Sequence, residues 1–327
     1  MGPETLPVPI DRADRQLVAR GWQIPPVSRH PVITYLGRLG SPHSVRAMRA
    51  RLEAVAALAS GGRDDAMSLA WPRLEYQHTQ RLRALVADRW SPATANLTMT
   101  AVRQTLRECW RLGYMTAEEY HRSADIAPVR GERLPAGRAL PANELRALFA
   151  ACRADASPAG ARDGAMLAAM YGCALRRSEV VALDLPDYDA ETGALKVRHA
   201  KGNKQRVVFV PAGGGMTALA AWLEIRGDTP GPLFWPVSQT GELIPRRLTA
   251  QVARWVLRKR AAEAGITSLP SPHDLRRTSI GDLLDAGADL SLAQRIAGHS
   301  SPTTTGRYDR RPDQAKRKAA SLLHIPY

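Results

Sequence analysis

The chain has 327 residues, with 46 Lys and Arg against 31 Asp and Glu, for a formal net charge of +15. That length exceeds one ordinary core and predicts two domains. The charge predicts a polyanionic partner and is carried by both halves: 17 basic against 12 acidic residues in 1–126, and 29 against 19 in 127–327. Three isolated cysteines, Cys109, Cys152 and Cys173, argue against a disulfide framework or a zinc site and fit a reducing cytosol. The chain opens without a basic-then-apolar pattern, so no signal peptide is expected. The longest nearly apolar run, 164–175, is too short to cross a bilayer.

Residues 1–30 are polar, contain proline and lack a period; they read as a loose arm. Val45, Met48, Leu52, Val55 and Ala59 recur at three- and four-residue steps and predict a helix over 42–59. Met99, Val102, Leu106 and Cys109 predict a second over 92–112, flanked by Arg103 and Arg107. Further helices are expected over 73–87 and 116–124, so 31–125 reads as a helical bundle. The stretch 126–139 holds prolines, glycines and basic residues without a period and reads as an exposed linker.

The second domain is expected over 140–308, with helices at 141–152 and 158–175. Strands at 194–199 and 205–210 flank Lys201-Gly202-Asn203-Lys204, a tight-turn composition that predicts a β-hairpin. Helices follow at 246–264, 272–286, 291–297 and 302–308, then a charged and finally apolar tail over 309–327. Five Ser-Pro pairs, at 41, 91, 157, 271 and 301, precede predicted helices, where serine caps and proline loses no bond. The fold class is therefore mainly α with one small β-hairpin.

Four blocks carry chemistry. They are Ala174-Leu175-Arg176-Arg177-Ser178-Glu179, the Lys201 turn, His273-Asp274-Leu275-Arg276-Arg277-Thr278, and the run from Gly298-His299 to Tyr308. Metal-free cleavage of a phosphodiester gathers negative charge on two non-bridging oxygens. Two arginines, Arg176 and Arg276, suit that charge because the guanidinium fork bonds in parallel and stays ionised. One such donor is worth ~3–4 kcal/mol. A phenol, with pKa about 10, can both attack and depart, which suits Tyr308. The departing 5′-hydroxyl needs an acid, for which Lys201 on the hairpin tip is the candidate. His273 shares a helix face with Arg276 and can share proton transfer or orient the phosphate. His299, after a helix-ending glycine, can donate to a phosphate oxygen. No P-loop and no metal-binding acidic cluster is evident, so no cofactor and no metal is expected.

Together, these blocks resemble the tyrosine recombinase (phage-integrase) family over roughly 140–308. Ala174 stands where the family usually has glycine, Arg277 where a second histidine is common. The resemblance implies that Arg176, Lys201, His273, Arg276, His299 and Tyr308 form the catalytic set, with Tyr308 as nucleophile. It implies an N-terminal core-binding bundle and a C-terminal α+β catalytic domain clamped on double-stranded DNA. Arg46, Arg49, Arg103, Arg107, Lys204, Arg254 and Arg258 are the candidate DNA contacts. A homotetramer on two DNA sites, accessory DNA-bending or directionality proteins, a mobile-element or phage origin, no membrane and a cytoplasmic, nucleoid-associated location are implied as well. The tail, 309–327, is expected to dock on its own domain or on a neighbouring protomer. Two other readings remain at this stage: a type IB topoisomerase-like enzyme, and a catalytically silent regulator derived from a recombinase.

Overall fold

A computed structural model describes residues 22–131, 137–198, 205–299, 301–306, 309, 320 and 322. The arm up to residue 21, Lys201, Lys204, Tyr308 and most of the tail lie outside the described residues. The chain divides into two compact units, Met1–Pro135 and Ala136–Tyr327.

Within the first unit the helices are α1 (Pro31–Gly37), α2 (Pro42–Ser60), α3 (Tyr76–Arg89), α4 (Pro92–Arg111) and α5 (Ala117–Ala124). Ser41 and Ser91 cap α2 and α4 by accepting from the Ser44 and Thr94 amides, and proline follows each. Thr116 and Glu119 form a reciprocal cap on α5. Leu52, Val55, Met99, Val102 and Leu106, the residues that set the helical period, meet Trp71 in one closed core. Helix α1 had no period to announce it. It is started by buried His30, whose Nδ1 accepts from the Val32 amide while Nε2 meets the Met67 carbonyl at 2.9 Å.

The first residues of the expected linker are fastened to this unit. Asn96 exchanges two hydrogen bonds with the Val129 backbone, and Arg83 donates to the Ala127 and Pro128 carbonyls. Arg103 donates to the Ile126 carbonyl.

The second unit holds α6 (Ala142–Ala154), α7 (Pro158–Gly172), α8 (Arg177–Ala182), β1 (Ala194–Val197), β2 (Arg206–Phe209), α9 (Gly214–Arg226), α10 (Ala250–Glu263), α11 (Pro272–Asp285), α12 (Leu290–Ala297) and α13 (Pro302–Gly306). All five Ser-Pro pairs begin helices, as expected. The strands pair antiparallel, Ala194 opposite Phe209 and Val197 opposite Arg206, which makes the expected hairpin. Leu195, Val197 and Val208 face the core, while Val207 and Phe209 face out. Helix α7 is buried almost all round and packs against α6, α9 and α11. It ends at Gly172, three residues before the expected boundary. Helix α9 was not foreseen, since Gly213, Gly214 and Gly215 mask its start and its body is apolar without a polar face.

A buried charge network ties these layers together. Asp163 of α7 accepts from Arg162 and, at 2.8 Å, from Arg260 of α10. Arg260 also donates to Asp155 and Glu263. Burial alone would raise the Asp155 carboxyl, but bonds from Ser157 and Arg260 hold it near 2. Removing one member strands buried charge, so Arg260→Ala is expected to cost about 3–5 kcal/mol in chemical denaturation. Exposed Arg258→Ala on the same helix should stay within about 0.5 kcal/mol; equal costs would contradict this account.

Candidate active site

Four of the six expected catalytic side chains are described: Arg176, His273, Arg276 and His299. Chain reversal after α7 begins the site. Ala174 has φ 49°, a left-handed conformation that glycine adopts without steric cost and alanine only at about 1–2 kcal/mol. The turn leaves Arg176 at the N-cap of α8, not at the end of the preceding helix. The Arg176 amide donates to Glu179 Oε2 at 2.9 Å, and its Nη1 to Oε1 at 2.6 Å.

Helix α11 carries the other pair. Ser271 caps it reciprocally with Asp274, and proline at its first position sets its start. Its motif also grips the chain that enters this unit. The Arg138 amide donates to Asp274 at 3.0 Å, the Leu140 amide to Thr278 at 2.8 Å, and Arg277 to the Gly137 carbonyl at 2.9 Å. Arg276 is 3% exposed and points inward, donating to the Ala174 and Ala297 carbonyls.

The segments meet at the end of α12. Gly298 closes that helix in a left-handed conformation, φ 63°. Its amide and that of His299 return to the Arg295 and Gln294 carbonyls. The next three carbonyls are taken by three different arginines. Arg206 Nε reaches Ile296 O at 2.9 Å, Arg276 reaches Ala297 O, and Arg176 Nη2 reaches Gly298 O at 3.1 Å. Arg176 and Arg276 are thus joined to consecutive carbonyls, although 100 positions separate them in sequence. A guanidinium offers five donors, so holding such carbonyls leaves capacity for a phosphate.

His299 follows directly. Its Nδ1 lies 2.9 Å from the buried Thr305 hydroxyl on α13. Where that hydroxyl donates, the ring proton sits on Nε2 and is presented for donation. Burial, then the charges of Arg276, Arg176, His273 and Arg206, push His299 down to about 4. Burial and the neighbouring Arg277 and Arg276 charges also push His273 down. Both rings are therefore neutral near pH 7, beside cations.

Sequence reasoning assigned no role to Glu179 or Arg206. Glu179 is 2% exposed and meets both Arg176 and Arg206. Burial alone would raise its carboxyl; the Arg206 and Arg176 contacts outweigh this and lower it. Arg206 sat inside a predicted strand and carried no motif signal beyond its closeness to Lys204. Among the candidate DNA contacts, Arg46, Arg49, Arg254 and Arg258 are exposed, whereas Arg103 and Arg107 are half-buried. No group of three or more His, Cys, Asp or Glu that could hold a metal occurs among the described residues. No described helix is long and apolar enough to cross a membrane.

A pH dependence follows. An unfolded chain protonates His299 near its ordinary 6.5, whereas the folded site resists until about 4. The unfolded state then binds more protons in that window, so stability is lost as pH falls through it. Melting of the DNA-free protein should be level for this group above pH 6.5 and decline below it. His299→Gln should lessen the decline, leaving the smaller part due to His273; an unchanged slope would contradict the assignment. Asp155 acts only lower, between its ordinary 3.8 and about 2.

Residues 138–315 match the model of the phage integrase family. The chain is 32% identical over 238 residues to a tyrosine recombinase XerC of Alcanivorax borkumensis, covering 69% of this chain and 73% of the relative. It is 35% identical over 219 residues to a tyrosine recombinase XerD of Pseudomonas aeruginosa, covering 64% and 68%. Its fold matches the XerH site-specific recombinase bound to a palindromic difH substrate, with TM-score 0.65, 18% identity, and coverage of 95% and 92%. It also matches the Tn1549 transposon integrase in complex with a circular intermediate DNA, with TM-score 0.63, 17% identity, and coverage of 91% and 99%.

Proposed function

This chain belongs to the phage integrase family and is a tyrosine recombinase; we propose that its site-specific strand exchange runs through Arg176, Lys201, His273, Arg276, His299 and Tyr308. The observation that carries this reading is the pairing of Arg176 and Arg276 on consecutive carbonyls beside a neutral His299. The roles of Lys201 and Tyr308, outside the described residues, are supported by their places in the sequence blocks.

In this reading a DNA phosphate enters beside Arg176 and Arg276, whose forks hold its two non-bridging oxygens. The Tyr308 phenol oxygen attacks phosphorus and its proton passes to the neutral His273 ring. The bond to the 5′-oxygen breaks, and Lys201 supplies the proton that makes it a hydroxyl. A 3′-phosphotyrosine conserves the bond energy. The 5′-hydroxyl of a partner strand then attacks and returns its proton to Lys201, Tyr308 departs with the proton held by His273, and a Holliday junction forms. His299, neutral, donates to a phosphate oxygen without adding a titrating charge.

Double-stranded DNA is the partner that the basic surface fits. The exposure of Arg254 and Arg258 on α10, and of Arg46 and Arg49 on α2, supports their assignment as phosphate contacts. Lys204 belongs to the same set by its place beside Lys201. Arg103 and Arg107, half-buried, are the weaker members. Likeness to a transposon integrase supports a mobile-element origin, and a cytoplasmic, nucleoid-associated location accords with such a substrate. We assign four copies to two sites, with the apolar end of the tail, 319–327, docking on a neighbouring copy. An apolar groove of about 1110 Å³ between α6, α7 and α9, lined by Leu145, Phe149, Ala168, Tyr171 and Ile225, supports a docking site of that kind in this unit.

Incubation with a nicked cognate duplex should trap a covalent protein–DNA adduct that survives denaturation. Tyr308→Phe should give none, and adduct from that variant would contradict the assignment. Arg176→Lys should slow adduct formation by about 100- to 1000-fold. Deletion of 319–327 should abolish cooperative assembly on DNA while leaving single-site binding; unchanged assembly would remove the docking role.

A further inference from the structure

We propose that Arg206 is a positioning residue for strand cleavage, holding the Arg176 side chain, the His299 loop and the base of the Lys201 hairpin in one fixed relation. The inference rests on the catalytic reading given above. Arg206 opens β2 and pairs with Val197, the last ladder pair before the turn that carries Lys201. Its side chain is 11% exposed. All three of its nitrogens are engaged: Nη1 and Nη2 meet the two Glu179 oxygens at 3.1 and 2.8 Å, and Nε meets Ile296 O at 2.9 Å.

Each contact leads to a different part of the site. Glu179 holds the Arg176 amide and guanidinium. Ile296 lies three residues before His299 on the segment whose next carbonyls hold Arg276 and Arg176. The guanidinium also lies against Gly298: a Cβ there would come within 2.9 Å of Nη1. Arg206 is therefore the side chain that joins β2, α8 and the end of α12. Its buried fork faces protein oxygens, which suits it to set distances and not to bind DNA.

A lysine cannot reproduce this. Its ammonium is a point charge and reaches the carboxylate or the carbonyl, without the planar fork that spans both. Loss of the fork should leave the DNA-contacting surface intact and misplace the groups that act on phosphorus. A displacement of about 1 Å in such a site can cost about 100-fold in rate.

The test uses the full chain on a duplex selected by the wild-type protein from random-sequence DNA and nicked to trap the adduct. Wild type and Tyr308→Phe come first. A wild type that forms no adduct overturns the catalytic reading and this proposal with it. With wild-type adduct in hand, Arg206→Lys should form adduct about 10- to 100-fold more slowly at saturating protein, and Arg206→Met about 100-fold or more, with Kd for DNA within about threefold. The split between rate and affinity is the readout that a purely structural residue would not produce. Arg206→Lys cleaving within about threefold of wild type would overturn the proposal and leave the catalytic reading standing. So would a deficit fully restored by more protein. If neither variant is folded at the assay temperature, Arg206 serves stability and the proposal is likewise overturned.

Discussion

Every α-helix leaves its last carbonyls without partners inside the helix. At the end of α12 those oxygens are distributed among three arginines drawn from distant segments: Arg206 on Ile296, Arg276 on Ala297 and Arg176 on Gly298. The partial negative charge of the helix terminus favours cations there. Cations that would otherwise repel one another are thereby held side by side. Because His299 is the next residue, the same terminus also fixes where its ring stands.

The arrangement is cation-rich by construction. Glu179 is the buried anion that balances part of it, and it faces Arg176 and Arg206. His299 and His273 respond by remaining neutral. A phosphate brings the charge that such a site lacks, and the neutral rings can then act as hydrogen-bonding groups without contributing more repulsion. The buried Asp163–Arg260 network stands apart from this chemistry and locks α7 to α10, so the turn at Ala174 that delivers Arg176 starts from a rigid helix.

Much of this was legible in the residues themselves. Proline after serine marked five helix starts, and at 41, 91 and 271 the serine also accepts from a free amide. The strands showed themselves as two short runs flanking the turn composition around Lys201. His273 and Arg276 fell on one helix as their spacing predicted, the first exposed and the second buried, and Gly298 announced its left-handed cap. Other features were hidden for physical reasons. Helix α9 buries only Leu219, Trp222 and Arg226, its exposed face carries Ala220, Ala221 and Ile225 in place of a polar stripe, and glycines stand at its start. The ties from Asn96, Arg83 and Arg103 to backbone carbonyls have no periodicity, so the stretch after residue 125 read as exposed. Arg206 was invisible because its importance lies in what its fork bridges, which no spacing reveals. Ala174 shows the converse: its positive φ explains why glycine is usual at that place, and alanine there carries a steric cost.

The most direct test is a crystal structure of Tyr308→Phe protein on its nicked duplex. Arg176 and Arg276 should contact one and the same phosphate, with the substituted phenyl ring beside it and His299 directed at one of its oxygens. The carbonyls of Ile296, Ala297 and Gly298 should still lie against Arg206, Arg276 and Arg176. Guanidinium groups bound to different phosphates, or a helix terminus released from all three arginines, would contradict the account.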